Sequence, residues 1–197
     1  SMMLDSLVNE TTGEQVGALF RYDVPVPVTV PDRSSALVNI INSYVDGEDL
    51  YLFDTTSGSV SAQTPPYRAV RLTNTTPAVI DRVPLTIYTS STCVGSGLTN
   101  KIGQGQTVFI PYSLDPRVHV SLDDQYREGG VQLTKIVRGH VTVEVKTTAT
   151  HSYVVDNQSP EAGTLWLQRT RRPGWHLVAP KAGALDERGV YFVPVAL

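Results

Sequence analysis

The chain has 197 residues, of which 18% are charged, and a formal net charge of −3. That balance excludes the basic stripe of a nucleic-acid-binding surface, and a single cysteine excludes both an internal disulfide framework and a cysteine-rich metal site. No apolar run reaches the roughly 18 residues of a membrane helix, and no basic start followed by an apolar core marks a signal peptide.

Taken in chain order, the first feature is Ser1-Met2, which reads as a tag remnant ahead of a cloned fragment. The missing leader therefore carries no weight about compartment. In Val24-Pro25-Val26-Pro27-Val28-Thr29-Val30-Pro31, valines fill one face and prolines most of the other. Proline cannot donate to a ladder, so the segment is expected as an edge strand or a polyproline-like extension. Edge protection is the expected role, rather than a docking surface for extended peptides. Ser34 to Val45 is the one helix candidate, with Leu37, Ile40, Ile41 and Tyr44 at helical spacing. The same stretch also reads as a β-hairpin turning at Asp46-Gly47 into Leu50-Tyr51-Leu52-Phe53, and the hairpin is the expectation.

Alternation of apolar and polar residues dominates the rest, as a half-buried strand requires. Tyr67 to Thr73 is a strand candidate. In Val83 to Tyr88, the residues Val83, Leu85 and Ile87 share a face. In Arg117 to Leu122, Val118, Val120 and Leu122 oppose Arg117, His119 and Ser121. Val141 to Lys146, His151 to Val155, Thr164 to Gln168 and Val190 to Ala196 follow. Asp46-Gly47, Gly95-Ser96-Gly97, Gly103-Gln104-Gly105, Gly129-Gly130 and Pro173-Gly174 read as turns between them. The expected fold is all-β, an antiparallel immunoglobulin-like β-sandwich in two β-rich domains. Charge and glycine gather at Gln125 to Gly130, which sets the expected boundaries: a lead-in over 1–18, a first domain over 19–125, and a second, incomplete one over 126–197.

A succession of short motifs adds a resemblance. Tyr67-Arg68-Ala69-Val70-Arg71-Leu72-Thr73-Asn74 is followed by Val83-Pro84-Leu85-Thr86-Ile87-Tyr88 and Val94-Gly95. Val108-Phe109-Ile110-Pro111-Tyr112 then precedes Asp115 and Val118-His119-Val120. From about Leu19 onward this order resembles the C-terminal bacterial domain of unknown function of the mucoidy-inhibitor-A-like proteins. Ser113 departs from the glycine expected after Pro-Tyr. The resemblance implies a β-sandwich behind an N-terminal coiled coil and brings no catalytic residues with it.

The candidate sites are few. Cys93 lies in Thr92-Cys93-Val94-Gly95-Ser96-Gly97 without any cysteine-protease signature, so a buried or half-buried structural thiol beside a turn is expected. Ser96 has glycine immediately on both sides, which is not G-x-S-x-G. His119, His140, His151 and His176 show no metal-binding spacing, and surface positions are expected in place of a metal site shared with Asp115 or Glu144. Asp46-Gly47-Glu48-Asp49 and Asp123-Asp124 lack a calcium-loop pattern and read as hairpin turns. Asn9, Asn74 and Asn157 match N-x-[ST], a pattern common by chance.

Arg169-Thr170-Arg171-Arg172-Pro173-Gly174-Trp175-His176 is the surface candidate. Arg and Trp are hot-spot residues of interfaces, and guanidinium forks bind carboxylate or phosphate. Arg169, Arg171, Arg172 and Trp175 are the expected interaction surface, against the plainer reading of a solvated loop whose Trp175 packs into the core. The expected function is a non-enzymatic interaction or structural module at the periplasm or cell envelope, with a protein partner, no cofactor, no metal, no nucleic acid and no membrane span. The alternative is a carbohydrate-binding or carbohydrate-acting module, motivated by nine tyrosines and two tryptophans. A cysteine-dependent hydrolase with Cys93 beside His119 or His140 is third.

Overall fold

A computed structural model describes residues 12–16, 19–23, 27–35, 43–55, 63–138, 140–180, 184–185 and 188–197. Those residues form strands and turns without a helix. The strands are β1 (Thr12–Val16), β2 (Leu19–Asp23), β3 (Asp46–Asp54), β4 (Tyr67–Thr73), β5 (Pro84–Thr89) and β6 (Thr92–Leu98). They continue as β7 (Thr107–Leu114), β8 (Val118–Val137), β9 (His140–Asn157), β10 (Thr164–Thr170), β11 (Ala184–Leu185) and β12 (Val190–Ala196). The all-β expectation holds, with both parallel and antiparallel pairing. Every strand read from alternation is present, and β1 lies inside the expected lead-in. The segment 36–42, which carried the helix-or-hairpin reading, and 24–26 of the valine-proline run lie outside the described residues. Residues 27–31 belong to no strand, and Val28 and Val30 are exposed, so this part of the run is not an edge strand.

Two compact units divide the chain, residues 1–49 with 69–113 and residues 50–68 with 114–197. In the second, β12 lies between β11 and β10, both antiparallel to it, and β10 runs parallel to β3 from Leu165 opposite Tyr51 to Gln168 opposite Asp54. The alternating residues Leu165 and Leu167 of β10 meet Tyr51 and Phe53 of β3 and Val118 and Val120 of β8 in the core of this unit. Tyr153, Val155, Val193, Val195 and Leu197 pack around that cluster. Tyr51 also makes a polar contact. The Arg68 guanidinium carbon stands 4.7 Å from its ring centroid, a cation–π distance.

In the first unit, β5 and β6 form a hairpin with Thr89 opposite Thr92. The chain reverses at Ser90 and Ser91, whose φ values of 47° and 67° match the twist of a two-residue hairpin loop. Gly95-Ser96-Gly97, expected as the turn, is inside β6. A methyl group on Gly95 would stand 2.6 Å from the Tyr112 carbonyl oxygen, and one on Gly97 2.7 Å from that of Pro111. These glycines therefore serve backbone approach to β7 rather than a change of direction. Likewise Asp46-Gly47 opens β3 instead of turning before it, and Gly129-Gly130 and Asp123-Asp124 lie within β8. The stretch from Gln125 to Gly130 is part of that same strand. Gly103-Gln104-Gly105 and Pro173-Gly174 do form turns.

Asn74 knits the first unit together. It is fully buried at 0% exposure, and its amide is satisfied on both sides. Nδ2 donates to the carbonyls of Ala78 at 2.8 Å and Ile102 at 3.1 Å, while Oδ1 accepts from Thr76 N at 3.1 Å and Thr76 Oγ1 at 2.7 Å. Its own backbone N–H reaches Gln106 O at 3.0 Å and its carbonyl accepts from Gly105 N at 2.7 Å. A residue so enclosed is no glycan acceptor.

Two outcomes test this reading. Gly95→Ala should cost at least about 2 kcal/mol in denaturant unfolding, the scale of overpacking against a backbone that cannot yield. Asn74→Ala should cost about 3 kcal/mol by orphaning buried partners. Asn74→Asp should be at least as damaging, because it sets carboxylate oxygens against the Ala78 and Ile102 carbonyls, and thermal melts of the two variants provide the comparison.

Candidate functional site

The arginine-rich segment leaves the end of β10 and is held to the second unit by its backbone. Arg171 N donates to Gly189 O at 2.8 Å, and Leu177 N donates to the Tyr191 hydroxyl at 3.1 Å. Between these anchors the chain turns at Pro173-Gly174. Trp175 N closes the turn on Arg172 O at 3.0 Å, and Gly174 has φ of 77°. Proline followed by glycine at positive φ is the chemistry of a type II turn. The turn thus has a defined shape, and the sequence signal for it was correct.

The side chains divide. Arg171, Arg172 and His176 are exposed, as are Leu177 and Val178, the latter at 70%. Among the described residues neither Arg171 nor Arg172 enters an ion pair. Trp175 is half-buried, neither fully in the core nor free. Arg169 is also half-buried and has a fixed partner, since its Nη1 donates to the Tyr153 hydroxyl on β9 at 3.1 Å. The expected surface is therefore two exposed guanidiniums, an adjacent imidazole and a partly covered indole, with Arg169 as the tie behind them.

A second polar cluster lies at the root of β8. Asp115 is 4% exposed and forms a two-pronged ion pair with Arg117, Nε to Oδ1 at 2.9 Å and Nη2 to Oδ2 at 2.7 Å. Arg117 N also donates to Oδ1 at 3.1 Å, and Asp115 N donates to Pro66 O at 3.1 Å. The side-chain hydrogen bonds from Arg117 hold the Asp115 carboxyl below its ordinary range, and burial opposes them. The backbone donor and the positive charges of Arg117 and Arg68 add to the lowering. This carboxylate is committed to holding the chain's entry into β8. The pair was not singled out from the sequence; the run Asp115-Pro116-Arg117, with a guanidinium two residues beyond a carboxylate, is the signal that could have found it.

The remaining candidates stand apart. Cys93 is exposed, which corrects the expected buried or half-buried thiol, and its Sγ lies 3.9 Å from the Gly95 carbonyl. Cys93 belongs to the first unit and all four histidines to the second. His140 and His176 are exposed, as expected for surface positions, but His151 and His119 are half-buried. His119 Nδ1 is buried without a hydrogen-bond partner among the described residues. Its strand position puts it across from Asp156 on β9. Among the described residues no three His, Cys, Asp or Glu side chains gather as a metal site, and no helix is long and apolar enough to cross a membrane. Glu48 pairs with Arg71 at 3.1 Å and Asp49 accepts from the Tyr112 hydroxyl at 2.9 Å, so the first acidic cluster serves its sheet neighbours.

Comparison with protein-family models, with curated proteins and with solved structures finds no match for this chain.

The Asp115 geometry fixes a pH dependence. A carboxylate whose folded pKa is depressed contributes stability that is complete above its unfolded value, about 3.9. That contribution is lost as pH falls through the lower folded value. Asp115→Asn should cost about 1–3 kcal/mol near neutrality. The gap between wild type and variant in urea unfolding should hold steady from neutrality down to about pH 5 and close below about pH 4. A gap that persists undiminished into strong acid would place the contribution elsewhere.

Proposed function

We infer that the chain is a non-enzymatic interaction module, a β-sandwich of immunoglobulin-like kind from a bacterial protein similar to the mucoidy-inhibitor-A-like family. It works at the periplasm or cell envelope. Its binding surface is the turn that carries Arg171, Arg172 and Trp175, with Arg169 positioning it. One observation carries this reading: two exposed guanidiniums without ion-pair partners among the described residues sit on a turn that is anchored at both ends. A turn whose backbone is already held in place loses less conformational freedom on binding. A planar fork selects a carboxylate by binding both of its oxygens at once. The neighbouring Trp175, Leu177 and Val178 supply the apolar centre that interface hot spots require. The partner is accordingly a protein face bearing carboxylates beside apolar side chains.

The carbohydrate reading requires exposed aromatic rings in a row. Tyr44, Tyr67 and Tyr88 are exposed but come from three separate stretches of chain rather than from alternate positions of one strand, and Tyr51, Phe53 and Phe192 are buried, so the aromatic count that motivated it weighs less than the arginines.

The test is a cross-linked capture from envelope and lysate fractions, with wild type beside Arg171→Glu/Arg172→Glu/Trp175→Ala. The triple variant leaves the Arg169–Tyr153 contact intact, and a cooperative thermal melt confirms that it is folded. A protein recovered by wild type and lost with the variant, and whose binding weakens as salt rises, is the expected result. Equal recovery with both proteins would move the surface elsewhere, and recovery of glycans alone would favour the carbohydrate reading.

A further inference from the structure

The longest elements of the chain lie outside the proposed arginine surface. β8 has 20 residues and β9 has 18, and they form a two-stranded antiparallel sheet that reverses between Val137 and His140. Its root is part of the core of the second unit through Val118, Val120, Tyr153 and Val155. Beyond Leu122 and Tyr153, β8 and β9 are each other's only ladder partners among the described residues. A two-stranded ribbon is marginal in water, and three or more strands are needed for independent stability. The outer part of this arm therefore has a use for another strand.

The two edges of the arm are not equivalent. At its root β8 is occupied by Thr64, which exchanges two backbone hydrogen bonds of 3.0 Å with Val120. Further out β8 is interrupted by two bulges, between Glu128 and Val131 and between Leu133 and Lys135, and both place the extra residue on β8. It also carries Asp123, Asp124, Arg127, Glu128 and Lys135. Bulges and charges are the devices that keep an edge from pairing. β9 has neither bulge, proline nor glycine. From His140 to Val155 its only acid and only lysine are Glu144 and Lys146. It is rich in valine and threonine, and Val143 and Val154 are exposed at 48% and 63%.

Parity identifies which groups β9 turns outward. Val120 gives its N–H and C=O to Thr64, so Val120 and its partner Val155 do not bond each other in the ladder. The odd-numbered residues Val143, Val145, Thr147 and Ala149 of β9 then turn their backbone groups away from β8. An antiparallel pairing of this edge with its own copy has to match odd residues with odd. Centred on Val145, it sets Val143 opposite Thr147, and Glu144 opposite Lys146 of the second copy, twice by symmetry. Glu144 and Lys146 then share the non-hydrogen-bonded positions of the ladder. Moving the centre to residue 144 or 146 instead opposes Glu144 to Glu144 or Lys146 to Lys146, which repel. Among these neighbouring registers the charges select one.

We propose that the β9 edge of the arm is a self-association surface, at which two copies of this chain join their arms into a four-stranded antiparallel sheet centred on Val145. Such a contact is isologous and closes at two copies. Sheet-edge pairing supplies the hydrogen bonds, and the Glu144–Lys146 pairs supply the register.

Sedimentation equilibrium of the full chain tests it. The wild type should be a dimer, Glu144→Lys should weaken association at least about tenfold by placing lysines opposite each other, and Glu144→Lys/Lys146→Glu should restore it. A monomeric wild type at every concentration would overturn the proposal and leave the edge to solvent or to a chain of another sequence. A dimer indifferent to Glu144→Lys would overturn it as well. Should the charge variants fold poorly, Val145→Cys in a Cys93→Ser background gives an independent measurement. Hydrogen-bonded partners lie about 5.5 Å apart at Cα, within disulfide reach. Mild oxidation should then yield a covalent dimer, and its absence, with the thiol still titratable, would count against the register.

Discussion

A chain built from strands and turns has to find a partner for every N–H and C=O that a strand turns toward its edge, since a backbone polar group left dry costs about as much as a lost hydrogen bond. That demand organises this protein. Where a strand has neighbours on both sides, as β10 has in β12 and β3, the ladders meet it and leave the side chains to build the core. Where ladders end, single polar side chains take their place. Where a strand has a ladder on one side only among the described residues, as β9 has around Val145, the demand on the other side is open to water or to another chain.

Two of the buried polar residues that close ladder ends do so with different chemistry. Asn74 faces two carbonyls on one side and an N–H and a hydroxyl on the other. Only a primary amide offers two donors and two acceptor sites in one planar group. Asp115 faces donors alone, from the Arg117 side chain and backbone, and a carboxylate suits them better than an amide. The neutral network is indifferent to pH and the charged one is not. Asn74 in the first unit and Asp115 in the second thus both secure a strand boundary, and they differ in the conditions under which they fail.

Strands were legible in the sequence because alternation is a direct record of burial on one face. Val118 and Val120 inside with His119 and Ser121 on the other side is the same pattern in sequence and structure. Turns were less legible, because glycine has two uses in β structure. Gly105 and Gly174 supply positive φ at turns, as expected. Gly95 and Gly97 instead let β6 approach β7, and the reversal that they seemed to mark falls on Ser90-Ser91, which carry no strong turn signal. Gly129-Gly130 likewise sits at a bulge inside a long strand. The arginine segment was recognised through Pro-Gly. The partner of Arg169 was not, because Tyr153 lies on β9, which shares no ladder with β10 and whose packing against the core no local pattern specifies.

That same contact joins two features the sequence presented separately. Tyr153 belongs to the root of β9, where its ring packs against the core while its hydroxyl accepts from Arg169. The arginine turn follows β10 and is anchored to Gly189 and to Tyr191 of β12. The root of the arm and the base of the turn therefore share a hydrogen bond inside one unit. A partner that orders the turn acts on the residue behind it, and a partner that orders the arm acts on the strand carrying Tyr153. Any coupling between the two surfaces has to pass through what they share, and Arg169–Tyr153 is the shared polar contact. Removing the hydroxyl with Tyr153→Phe keeps the ring in the core and deletes that link alone. Coupling carried by this bond would vanish in that variant with both surfaces intact, whereas coupling through the packed core would survive it.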